Sequence, residues 1–85
     1  MARFDLEFAP SVKKDLKRIN RSDVHRILEA IDQLQYDQNP QGSKKLVNEA
    51  LFRIRVGVYR IVYEIHERKL VVLIVKVGHR KSVYK

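Results

Sequence analysis

The stretch LFRIRVGVYRIVYEI, residues 51–65, constrains the fold more than any other part of this chain. Apolar and polar residues alternate on both sides of Gly57-Val58, the period of strands with one buried face, and a glycine in first position suits a tight II′ turn. A hairpin closed there pairs Val56 with Tyr59, Arg55 with Arg60, Ile54 with Ile61, Arg53 with Val62 and Phe52 with Tyr63. One face then holds Phe52, Ile54, Val56, Tyr59, Ile61 and Tyr63, and it needs a covering layer.

The flanking segments supply that layer and widen the sheet. In RFDLEF, Phe4, Leu6 and Phe8 alternate with Arg3, Asp5 and Glu7 as a first strand with one buried face. Pro10 and Ser11 open a helix carrying Val12, Leu16 and Ile19 at helical spacing. NRSD breaks it, and Ser22 is placed to cap a second helix whose stripe is Val24, Ile27, Leu28, Ile31 and Leu34. DQNPQGS ends that helix. KKLV is a short extended lead-in, NEA a turn, and residues 51–56 and 59–65 are the hairpin strands. HERK forms a second turn. LVVLIVKV, apolar at nearly every position, reads as a strand buried on both faces in mid-sheet, ended by Gly78. The expected fold is α+β, in the order β-α-α-β-β-β, with a two-helix hairpin packed on one face of a mostly antiparallel four-stranded sheet. Residues 1–85 form a single domain on size.

An apolar fraction of 45% and a charged fraction of 33% exclude wholesale disorder. No stretch approaches the roughly 20 apolar residues that span a bilayer, and MARFDLEFAP has no apolar signal core. A cytoplasmic protein without membrane contact is expected. With no cysteine and three scattered histidines, neither a disulfide framework nor a metal site is predicted, and no cofactor motif is present. Residues 1–43 contain seven Lys/Arg and seven Asp/Glu, whereas residues 44–85 contain eleven and three, so the net charge of +8 belongs to the second half. A polyanion-facing surface follows, with nucleic acid the first candidate and anionic lipid the second.

The hairpin register gathers Arg53, Arg55 and Arg60 on the face away from the helices, with only Glu64 nearby to offset them. Like charges directly across a strand pair cost some tenths of a kcal/mol. A mixed-sign solvated face would avoid that cost, so the crowding points to an anionic partner. If HERK turns symmetrically, Val71, Leu73 and Val75 join Val62 as an apolar strip beside the basic patch, a pattern typical of partner surfaces. The tail GHRKSVYK adds His79, titratable near neutral pH, Arg80 with its phosphate-matching fork, and Tyr84, a stacking ring with a donor hydroxyl. Such groups equip a site where a 2′-hydroxyl attacks the neighbouring phosphate. His25 and His66 read as surface residues, and the cations from Lys13 to Arg21 complement the end of the first helix.

The element order, the KKL lead-in, FRIRVGVYRIVYEI and the ending VGHRKSVY resemble the RelE branch of the RelE/ParE toxin superfamily, toxins of toxin–antitoxin pairs. The similarity covers essentially the whole chain and is most specific over residues 44–84. It implies a type II toxin that enters the ribosomal A site and cuts mRNA there without a metal, an mRNA interferase held inactive by a cognate acidic antitoxin wrapped around the basic face. On this resemblance Arg53 and Arg55 line the site, Arg60 and Arg80 grip the scissile phosphate, and Tyr84 stacks on or donates to the substrate. Lys44, Lys45 and Lys81 are expected to contact RNA. The family's best-known members have lysines where this chain has Arg53 and Arg55. Arginine, with a pKa above ~12, is a poor general base, so His79 is expected to share or take over proton transfer. The chain also stops at Lys85, without the extra C-terminal helix of some members. Two other functions stay open: a ParE-like gyrase poison, and a non-enzymatic basic RNA-binding module.

Overall fold

In the computed structural model, which describes residues 3–46 and 50–79, the chain runs β1 (Asp5–Phe8), α1 (Pro10–Lys17), α2 (Arg21–Gln33), β2 (Lys44–Lys45), β3 (Leu51–Val56), β4 (Tyr59–His66) and β5 (Val71–His79). The strands join in one sheet in the order β1-β5-β4-β3-β2. Among the described residues only the β1–β5 pairing is parallel. The sheet has five strands where the sequence predicts four, because Lys44 and Lys45 pair with Arg53 and Phe52 as a two-residue edge strand. A short lysine-bearing strand is well suited to an edge, since it discourages further pairing.

Gly57 takes φ +60°, the left-handed value that the first position of a II′ turn demands. All the predicted cross-strand pairs of the hairpin form, from Val56 with Tyr59 to Phe52 with Tyr63. The second hairpin departs more from expectation. Its turn is residues 67–70, with Leu70 exposed at φ 53°, and β4 extends to His66. β5 continues through Gly78 to His79 instead of ending at the glycine. Between Tyr63, opposite Ile74, and Val62, opposite Lys76, the register slips by one residue, leaving Val75 as the extra residue of a β-bulge.

The helices form where their caps allow. α1 begins with Pro10 in its first turn, where a missing N–H is tolerated. α2 is capped by Asn20, whose extended backbone (φ −67°, ψ 155°) precedes the helix and whose Oδ1 accepts from the Asp23 N–H at 3.0 Å. Ser22, the expected cap, lies inside the first turn and donates to the same Asn20 oxygen at 2.8 Å.

Ile27, Ile31 and Leu34 of the α2 stripe join Val12 and Phe4 against Ile54, Ile61, Tyr63, Val72, Ile74 and Val77 of the sheet. Each fully buried aliphatic side chain contributes on the order of 1.5–3 kcal/mol. Leu28 and Phe8, expected to be buried, are exposed at 40% and 45%. Leu28 sits about 100° around the helix from Ile27, and Phe8 ends an edge strand. Tyr63 is fully enclosed, and its hydroxyl donates to the Gln38 carbonyl at 2.8 Å. Burial pushes this phenol's pKa up to about 12. No helix among the described residues is long and apolar enough to cross a membrane.

Candidate nucleic-acid interface

The face of the sheet turned from the helices is organised in cross-strand rows. Arg55 stands directly opposite Arg60, which in turn stands opposite Gly78. The adjacent row runs Lys44, Arg53, Val62, Lys76 across four strands. Neighbouring strands lie roughly 4.8 Å apart, so these cations occupy an area comparable to a short stretch of phosphate backbone. Among the described residues no carboxylate forms an ion pair with Arg53 or Arg55. Glu64, expected to temper the patch, instead engages His66 at 2.7 Å.

The arginines differ in setting. Arg55 is exposed, whereas Nε and Nη1 of Arg60 are withdrawn from solvent, where a positive charge acts through a lower effective dielectric. Arg53, expected on an open patch, is only 6% exposed. The connection from α2 to β2 brings the Gly42 carbonyl to its Nη1 at 3.3 Å. Beside it lies a cleft of about 490 Å³ between Ala30 and Gln33 of α2, the Pro40–Gly42 turn, and Lys44, Arg53 and Arg55. Val62 is likewise buried, and Val71, Leu73 and Val75 are half-buried, so the expected apolar strip is partly covered by the sheet's own neighbours.

His79 is the chief departure from the sequence reading. The bulge reverses the facing of β5 beyond Ile74, so His79 pairs with Tyr59 on the helix side and not with the arginines. Its ring meets the Tyr59 ring edge-on, with centroids 6.2 Å apart. Both border a cleft of about 420 Å³ with Asp15, Arg18 and Ile19. The Tyr59 hydroxyl reaches Asp23 Oδ2 at 3.2 Å, and burial together with that carboxylate raises the phenol's pKa. Lys45 is also separated from the cationic rows, since it faces with its partner Phe52. Arg80, Lys81 and Tyr84 lie outside the described residues. Lys76 joins the rows although the sequence reading passed over it. Its signal was its place as the lone charge in LVVLIVKV.

A two-helix layer backing a sheet whose open face is lined with cations defines a small α+β protein built to meet a polyanion. Comparison with known structures narrows this to one architecture. A chain of the archaeal RelE–RelB complex from Pyrococcus horikoshii OT3 superposes with a TM-score of 0.83 at 26% identity, covering 95% of this chain and 99% of that one. A chain of the RelB–RelE antitoxin–toxin complex from Methanococcus jannaschii gives 0.75 at 31% identity, over 93% and 95% of the two chains. A protein of Methanocaldococcus jannaschii named RelE1 is 28% identical over 87 residues, 98% of this chain and 97% of the relative. Residues 6–84 match the family described as ParE toxin of type II toxin–antitoxin system, parDE. The chain therefore belongs to the RelE/ParE toxin superfamily of type II toxin–antitoxin systems, in its RelE branch.

Proposed function

We propose that this toxin is a ribosome-dependent mRNA endoribonuclease. The observation that carries the reading is the direct opposition of Arg55 and Arg60, flanked by the Lys44–Arg53 row and its cleft. Like charges held face to face destabilise the free protein and become favourable once an anion lies between them. In the proposed reaction the 2′-hydroxyl oxygen attacks the adjacent phosphorus, the bond to the leaving 5′-oxygen breaks, and Arg55 and Arg60 stabilise the charge that builds on the non-bridging oxygens. Arg80 and Tyr84, which follow β5 in sequence, complete the grip on phosphate and base. Guanidinium groups stay protonated above pH ~12, so these arginines orient and stabilise without removing the 2′-proton.

The cationic rows also suit a cognate acidic antitoxin, a proposal supported by the antitoxin-bound state of the related toxin structures. Ribosomes and messages place this activity in the cytoplasm. The test is cleavage of a defined message with and without purified ribosomes. Cuts should appear with ribosomes and fall about 100-fold or more in Arg60→Ala. Absence of cuts on programmed ribosomes, with toxicity untouched by Arg60→Ala, overturns the reading. A gyrase-directed activity, raised by the ParE description of the matching family, would show as DNA damage with an intact message pool.

A further inference from the structure

β1 covers only the first part of β5. Its pairing stops at Phe8 with Ile74, and the last backbone bond on that side runs from the Ala9 N–H to the Ile74 carbonyl at 2.8 Å. From Val75 to His79 the strand is bulged and has no strand beside it on that edge. Two side chains of α1 meet this edge. Ser11 Oγ lies 3.5 Å from the Val75 carbonyl, and Asp15 Oδ2 accepts from the Val77 N–H at 3.1 Å. The second Asp15 oxygen faces Lys76 Nζ at 3.8 Å, and the carboxylate is only 15% exposed. Residues four apart share a helix face, so α1 takes over along β5 where β1 ends.

We infer that Asp15 is a positioning residue: its carboxylate pins the Val77 amide and thereby fixes the stretch of β5 from which the chain passes into residues 80–85, including Arg80 and Tyr84. A bond from a backbone amide to a carboxylate in a sheltered place is stronger than a neutral one. The pinned residue lies next to Gly78, the partner of Arg60, so slippage there disturbs the cationic rows from the β5 side. The functional half of this inference rests on the nuclease reading. The structural half does not.

The experiment compares the full chain with Asp15→Ala and with Asp15→Asn, which keeps an acceptor oxygen but not the charge. Amide hydrogen exchange is followed at Val77 and Gly78, with Ile61 and Val72 as core controls. Asp15→Ala should speed exchange at Val77 about tenfold or more with the controls unchanged, and Asp15→Asn should restore much of the protection. On programmed ribosomes, kcat should fall about tenfold in Asp15→Ala at little-changed KM, with partial rescue by asparagine. Unchanged exchange at Val77, or an equal rise at Val72, overturns the inference. So does accelerated exchange with kcat intact. If the wild-type chain cuts no ribosome-bound message, the nuclease reading fails instead. Exchange at Val77 then still decides whether Asp15 holds the strand, and growth arrest on expression replaces cleavage as the functional readout.

Discussion

Arg55 and Arg60 are direct cross-strand partners two residues from the turn of the β3–β4 hairpin, on the face turned from the helices. Folding gains nothing from that juxtaposition. Replacing the exposed Arg55 with alanine should leave thermal stability unchanged or raise it by up to about 0.5 kcal/mol, while ribosome-dependent cleavage falls about 100-fold. A variant that loses stability along with activity would show the pair to be structural.

Arg53 should behave differently because it is buried against the Gly42 carbonyl. Arg53→Ala leaves that carbonyl without its donor and opens a void, for a loss of about 1–3 kcal/mol in denaturant titration. Arg53→Met, which refills the volume, should recover part of the stability and none of the RNA affinity. Equal stability of wild type and Arg53→Ala would contradict the observed packing.

His79 lies on the Tyr59 side of the sheet. His79→Gln is therefore expected to leave the shape of the pH–rate profile unchanged between about pH 5.5 and 8.5, the range in which a histidine base would titrate. Loss of one limb of the profile would restore it to proton transfer.

Tyr63 provides a test of the core alone. Its phenol holds its proton more tightly folded than unfolded, the pKa rising from 10.0 to about 12 through burial. The resulting stabilisation is complete below pH 10.0 and is lost as the pH climbs toward about 12. At full extent the loss is about 2–3 kcal/mol. Urea midpoints should fall more steeply over that interval in wild type than in Tyr63→Phe, and parallel slopes would refute the assignment.

Much of this fold was legible in the sequence because some segments carry both phase and punctuation. Gly57 marks the turn and the alternation of residues 51–65 sets the register, so Arg55 meets Arg60 as expected. LVVLIVKV carries no phase, since nearly every residue is apolar. Nothing in it marks Val75 as the extra residue, and the facing of His79 depends on that one position. NRSD offers two good capping residues, and only backbone geometry selects Asn20 over Ser22. The burial of Arg53 depends on a connection eleven residues earlier in the chain, beyond the reach of a local pattern.

The bulge at Val75 makes β5 intolerant of changes in length. Deleting a single residue there would shorten the strand by roughly 3.3 Å, a minor loss, but it would also exchange the two sides of everything downstream. Lys76 would turn into the oily layer, and Val77 would come out among the guanidinium groups. Loops absorb such edits readily. In this strand a gap of one amounts to an inversion, so relatives that differ in length here need a second, compensating edit close by.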